Sequence, residues 1–438
     1  MIPTVSIALQ AGRPAAAAGV PSVSIAPPAA NATTAAPSPV RGPGPQNAAV
    51  QGINPFISEL QNGDRGVGNH PVDAGNSAQL LVDTKQFVPA VMQDLKGAKS
   101  QINVTMFSWQ DDGAGREIGD LLMRKAQAGV DVNVVIDAFG SRQWPLSRYK
   151  GYIDQMKEAG VHVVKNWRLN MPLVSDDNTG VRATDHRKIF EIDGKVAYLG
   201  GMNLAKKYDE WHDTMVRIEG PAAARAGAEV LGRSKDLGGK VTAANEETLA
   251  EGLRTNVNRG SAQVQIVGNS PKVELGASKE FFNLADKAKE RFWVLTPFIG
   301  SNHEMIDKLV ETAQRGVDVR LAVPGPNKWK NGKYALKLTR SYYSQLAAGG
   351  VKLYEQPQMS HSKLWLSDST ANISSVNIGD HSAKMDYEVG ATINDPKFVG
   401  QVEALFHRDF DRSRAIPTTE ANSYGMWEKV RKMLPVRI

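Results

Sequence analysis

One arrangement of strands and helices occurs twice along this chain, and that repeat limits its fold more than any other feature. From "AQLLVDTKQFVPAVMQDLKGAKSQINVTMFSW" the apolar pattern reads strand, amphipathic helix, strand. A helix over Gly115–Gly129 follows, then the strand "VDVNVVIDAF", a helix around Leu146–Gly160 and the strand "VHVVKNW". The order returns from "SAQVQIVGNS" through "SKEFFNLADKAKE", "RFWVLTPFIG", "NHEMIDKLVETAQRG" and "VDVRLAVPG" to "VKLYEQP". Gly129 matches Gly316, and Gly160 matches Gly350. Strands alternating with helices of this length predict layered α/β structure. The expected fold is α/β, with two similar α/β/α lobes at 76–230 and 261–415 packed about a pseudo-twofold axis. A linker at 231–260 and a tail at 416–438 complete the expectation.

Residues 1–75 are rich in Ala, Pro, Gly, Ser and Asn. Such a stretch buries too little apolar surface to offset its ordering entropy, so a disordered leader is expected, either a plain extension or an address tag. The chain has no cysteine, which excludes thiolate catalysis, disulfides and Cys-ligated metals. No run is apolar enough to span a bilayer, and the N-terminus has no basic start with a sustained apolar core. The expectation is a soluble or peripheral membrane protein, cytoplasmic or exported by a non-classical route. A net charge of +6 favours anionic partners without choosing among them.

The chemistry lies in polar positions that recur between the halves. "HRKIFEID" supplies His186, Lys188 and Asp193; "HSKLWLSD" supplies His361, Lys363 and Asp368 at the same offsets. Asn203 and Asn377 follow, each two residues after Gly201 or Ser375, and then Asp213 and Glu388. Strand residues two apart share a face, so each His points the same way as its Lys. If the halves converge, two ammonium groups and two carboxamides form an anion cradle suited to phosphate oxygens. One histidine can then attack phosphorus while the other moves a proton to and from oxygen. Asp213 and Glu388 are candidates for orienting the imidazoles. The cations already neutralise phosphate charge, so no metal or cofactor is expected.

These residues resemble the phospholipase D superfamily, whose signature HxKxxxxD is present twice. "GGMN" and "SSVN" are similar to its downstream Gly/Ser-x-Asn element. "YLGGMNL", "WHDTMVRIEGP" and "AGVDVNVVID" look most like bacterial cardiolipin synthases, over about residues 76–415. The resemblance implies a bilobal α/β fold and metal-independent phosphodiester cleavage or transfer on glycerophospholipids through a phosphohistidine. It makes His186, Lys188, Asp193, His361, Lys363 and Asp368 the catalytic set, with His186 as nucleophile, His361 as acid/base, and the two aspartates mainly structural partners. The roles of the two histidines differ between members. Asp386 stands where the family has Asn, and Asp213 where it has Glu.

The implied partners are a phospholipid at a membrane surface and an alcohol or water acceptor, with a monomer sufficient because one chain carries both motifs. Nucleic-acid phosphodiester hydrolysis is the alternative, and an exported protein acting through its interactions is a third reading. The stretch "RLNMPLVSDDNTGVRAT" before His186 has no counterpart and reads equally as a lid or a surface excursion. The loops after the third strand of each half place Trp144 with Arg142 and Arg148, and Trp329 with Lys328 and Lys330. Ordinary packing accounts for each loop somewhat better than a membrane contact does. His70, His162, His303 and His407 read as structural, His212 as packing near the cleft, and His381 as a surface residue more readily than as a headgroup contact.

Overall fold

The computed structural model describes residues 68–142, 150–167, 183–271, 274–329 and 332–425. The first copy of the repeat runs β1 (Asp73–Val82), α1 (Asp83–Gly97), β2 (Gln101–Met106), α2 (Gly113–Gln127), β3 (Asp131–Asp137), α3 (Lys150–Glu158), β4 (His162–Asn166), β5 (Lys188–Ile192), β6 (Val196–Gly200) and β7 (Thr214–Glu219). Helices α4 (Ala222–Asp236) and α5 (Ala243–Thr255) follow. The second copy runs β8 (Ala262–Ser270), β9 (Glu274–Leu275), α6 (Gly276–Lys287), β10 (Arg291–Leu295), α7 (His303–Gln314), β11 (Asp318–Pro324), α8 (Gly332–Arg340), α9 (Tyr343–Ala348), β12 (Lys352–Gln356), β13 (Leu364–Ser367), β14 (Thr370–Ser374) and β15 (Glu388–Asn394). Helix α10 (Pro396–Arg412), β16 (Arg414–Ile416) and α11 (Thr418–Ser423) end the described chain.

The two copies build the same sheet. One orders its strands β4-β3-β2-β5-β6-β7-β1, the other β12-β11-β10-β13-β14-β15-β8. In each, the pairs among β2, β3 and β4, or β10, β11 and β12, are parallel and the rest antiparallel. Parallel neighbours need a crossover, which explains the helices between them. The matched glycines end those helices. Gly129, Gly160, Gly316 and Gly350 all have φ between +89° and +95°, the left-handed C-terminal position that glycine adopts without strain. β1 and β8 then pair antiparallel, so equivalent strands meet at the centre of one continuous sheet, as a twofold relation requires.

Three large apolar clusters follow from this plan, with a smaller fourth between α4 and α5. One lies within the first lobe and one within the second. The third joins α4 and α10 with inward residues of both sheets, including Val216, Ile218, Ile266, Leu364 and Val389. The lobes thus share a core, which fixes their relative position.

The expected boundaries need correction at two places. Residues 68–75, assigned to the leader, belong to the sheet: His70 N–H donates to Ile266 at 3.2 Å, and β1 starts at Asp73. Small and polar residues disguised this strand; Asn76 is fully buried by hydrogen bonds rather than by apolarity. The segment read as a linker, 231–260, is largely helical. The Gly- and Ala-rich first half of α4, just ahead of that segment, lets α4 and α5 pack closely, since a Cβ on Gly227 would meet Leu249 at 2.7 Å. Residues 1–67 and 168–182, with Trp144, Arg148 and Lys330, lie outside the described residues.

Candidate active site

The residue that precedes each motif histidine pairs with the other lobe. Asp185 bridges to Tyr387, and Ser360 bridges to His212. His186 N–H donates to Tyr387 at 2.9 Å, and His361 N–H donates to His212 at 2.7 Å. Each histidine is therefore set beside the late carboxylate of the opposite copy. His186 Nδ1 donates to both Glu388 oxygens at 3.0 Å and lies 3.2 Å from the Ser375 carbonyl. His361 Nδ1 donates to Asp213 Oδ2 at 2.7 Å. The orienting pairs expected from sequence form, but crossed between lobes. With Nδ1 engaged, Nε2 is left for chemistry on both rings.

Both rings line a single cleft of about 1330 Å³, together with Asn203 and Asn377. Asn203 Oδ1 accepts from Ser108 N–H at 3.2 Å, which leaves its amide nitrogen as a donor for the cleft. The residues two before the asparagines serve the carboxylates. A Cβ on Gly201 would lie 2.1 Å from Asp213 Oδ1, so the glycine makes room for that side chain. Ser375 instead donates its hydroxyl to Glu388, as does Ser382, in short hydrogen bonds.

Lys188 and Lys363 are fully buried, each turned onto the carbonyl of its own motif histidine. Burial lowers Lys188 to about 8. It lowers Lys363 to about 7, with the charge of Lys188 adding to the effect. Burial and the two lysines hold His186 well below its ordinary value, and burial with Lys363 brings His361 to about 3. Burial and the lysines thus favour the neutral form of both imidazoles near pH 7. The carboxyls differ. Burial raises Glu388 to about 7, whereas Asp213 stays below the ordinary range because His361, Lys363 and the Thr214 N–H outweigh its burial. The lysine of each lobe acts on the histidine of the other, so the four groups share one field.

Asp193 and Asp368 are not brought to the cleft. Asp193 accepts from the backbone N–H groups of Lys99, Ser100 and Gln101 and from the Ser100 hydroxyl, at 2.7–2.9 Å. Asp368 accepts from Lys289, Glu290 and Arg291 at 2.9–3.1 Å. Each ties the segment leading into the neighbouring strand, β2 or β10, to the turn that follows its motif strand, with φ of 54° and 47° at the two aspartates. Each is a turn clamp, and the matching offsets reflect matching turns.

A family model described as "Cardiolipin synthase, PLD-like domain" matches residues 91–233 and 281–410, more than half of the chain. The chain belongs to this phospholipase D-like family. Among curated relatives, the cardiolipin synthase of Alkalihalophilus pseudofirmus is 28% identical over 361 residues, 80% of this chain and 69% of that protein. A probable cardiolipin synthase of Bacillus subtilis is 27% identical over 371 residues, 82% of this chain and 71% of that one. The crystal structure of a phosphatidylserine synthase from Haemophilus influenzae shares the fold with a TM-score of 0.60. It is 16% identical and covers 87% of this chain and 96% of its own.

Several residues at the site are not marked by the repeated motifs. His381, read as a surface residue, lines the cleft and donates from Nδ1 to Asp386 at 2.8 Å. Asp386 also accepts from Thr184 N–H and Oγ1, tying the segment before His186 to the second lobe. Phe107 lies edge-on to His186 with ring centroids 4.7 Å apart, and Trp211 lies 5.5 Å from His361. Trp329 packs on Trp211 at 5.8 Å, and with Lys328 and Arg142 it lines the cleft rather than serving only as packing. His212 bridges Asp83 at 2.8 Å and Asp409 at 3.0 Å. Its place directly before Asp213 was the signal available in the sequence.

Proposed function

We propose that the crossed histidine–carboxylate pairs carry out phosphatidyl transfer on glycerophospholipids at one shared phosphorus. The supporting observation is that His186 and His361 line one cleft with Nδ1 engaged on each ring. The substrate phosphate lies between the rings, facing Asn203 and Asn377 and balanced by the charge of Lys188 and Lys363. Its arrival brings negative charge beside His361 and raises that imidazole, so His361 carries a proton when substrate is bound. His186 Nε2 attacks phosphorus, the bond to the headgroup oxygen breaks, and His361 gives its proton to that oxygen. An alcohol or water then gives its proton to His361 as its oxygen attacks phosphorus, the N–P bond breaks, and His186 is regenerated.

Asp213 favours this division of roles, because an ionised carboxylate stabilises the imidazolium form that the acid/base must adopt. The lipid acceptor is an alcohol for transfer and water for hydrolysis, and one chain supplies the complete site. Among the described residues no helix is long and apolar enough to cross a membrane. The test is purified protein on phosphatidylglycerol vesicles with lipid products resolved. A cardiolipin-type lipid or phosphatidic acid is expected, and both are lost in His186→Ala. Release of nucleotides from DNA with no lipid product would replace this reading with the nuclease one.

A further inference from the structure

The two motif histidines follow equivalent backbone bridges, but the bracing of those bridges differs between the lobes. Arg187 comes directly after His186 in extended chain, so its side chain points away from the face that carries His186 and Lys188. It is buried and enters an ionic cluster. Its guanidinium donates to both oxygens of Asp185, at 3.0 and 2.9 Å, and to Glu229 Oε2 on α4 at 2.9 Å. His70 donates from Nε2 to the other Glu229 oxygen at 3.1 Å. Arg233, also on α4, lies 3.5 Å from Asp185. The guanidinium groups of Arg187 and Arg233 lie over the ring of Tyr387, 5.4 and 3.7 Å from its centre. Asp185 and Tyr387 are the two residues of the bridge that sets His186 beside Glu388. Arg187 therefore holds both partners of that bridge and fastens them to α4.

In the second motif, Ser360 and Ser362 flank His361 where Asp185 and Arg187 flank His186. Both serines are fully buried, and neither hydroxyl meets a hydrogen-bond partner among the described residues. The second bridge is held by ions on one side only, through His212 with Asp83 and Asp409. Ionic bracing of the motif segment itself belongs to the histidine that attacks phosphorus. Desolvation offsets much of the attraction within a buried cluster of this kind, so added stability does not account for it. An attacking nitrogen has to meet phosphorus in line, and a displacement of about 1 Å can cost about 10²-fold in rate.

We infer that Arg187 is a positioning residue that fixes the attacking ring of His186 by holding Asp185 and Tyr387. This rests on the phosphatidyl-transfer reading above and names what places its nucleophile. The test compares wild type with Arg187→Lys, which keeps the charge and loses the two-pronged grip, and with Asp185→Ser/Arg187→Ser, which gives the first motif the flanks of the second. Folding is checked by circular dichroism and urea unfolding. In both variants kcat should fall about 10- to 100-fold with KM changed by less than about twofold, as for a contact realised only in the transition state. Acid quenching with intact-mass detection should show the same fall in the rate of adduct formation on His186 from short-chain phosphatidylglycerol. The His186 Nδ1 proton resonance, assigned by its loss in His186→Ala, should shift or broaden in Arg187→Lys. If the serine variant does not fold, Arg187→Lys decides alone. A folded variant that melts earlier but keeps the wild-type kcat and adduct rate would make Arg187 a stabilising residue and overturn the inference. A raised KM with kcat retained would overturn it as well. Wild-type enzyme that forms no adduct on His186 during turnover would instead remove the transfer reading, and this inference with it.

Discussion

At the scale of single residues, the site works by contrast between two similar pairs. Asp213→Asn keeps the shape beside His361 but removes the charge that stabilises its imidazolium. We expect kcat to fall by about 10²–10⁴ with little change in stability, measured by steady-state kinetics and thermal melting. The lysines set a pH limit. Their ammonium forms are lost as pH rises through about 7 for Lys363 and about 8 for Lys188. Bound phosphate favours the charged amines, so the loss belongs to the free enzyme. kcat/KM should therefore fall above pH 7–8 while kcat falls less, and Lys363→Arg should move the limb upward. The residue types and offsets of this site were legible in the sequence because strand geometry repeats every two residues. The crossing of the pairs was not. It depends on a bridge between Asp185 and Tyr387, far apart in sequence, whose backbone contacts leave no mark on composition.

At the scale of elements, two devices hold the site without touching substrate. The turn clamps Asp193 and Asp368 each accept at least three backbone N–H groups. Asp193→Ala should cost about 1–3 kcal/mol in urea unfolding while lowering kcat less than tenfold. An effect on kcat as large as that of His186→Ala would return Asp193 to the catalytic set. His212 joins α1, the segment before β7 and α10 as a buried cation between two carboxylates. Burial lowers it, but the hydrogen bonds that its ring donates to Asp409 and Asp83 outweigh burial and raise it to about 10, above its ordinary value of 6.5. Its stabilisation is therefore complete below pH 6.5 and lost as pH rises through 10. His212→Gln should cost ~3–5 kcal/mol at pH 6 and progressively less toward pH 10, read from denaturation at both. Helices α4 and α5 show why element boundaries misled. Small residues that look like linker composition are what a closely packed helix pair needs.

At the scale of the whole molecule, the duplication produces one site rather than two. Seven strands per copy in the same order, joined through β1 and β8, bring equivalent segments to a common centre, where each lobe supplies the carboxylate for the other's histidine. Either lobe alone has a histidine without its orienting partner, so separated lobes are expected to be inactive even when folded. The central claim is this shared phosphorus, and mass spectrometry of the acid-quenched enzyme during turnover of a short-chain phospholipid tests it most directly. The account predicts one phosphatidyl adduct per chain, on His186, lost in His186→Ala and accumulating in Asp213→Asn. Two adducts per chain, or steady turnover with neither histidine modified, would contradict it.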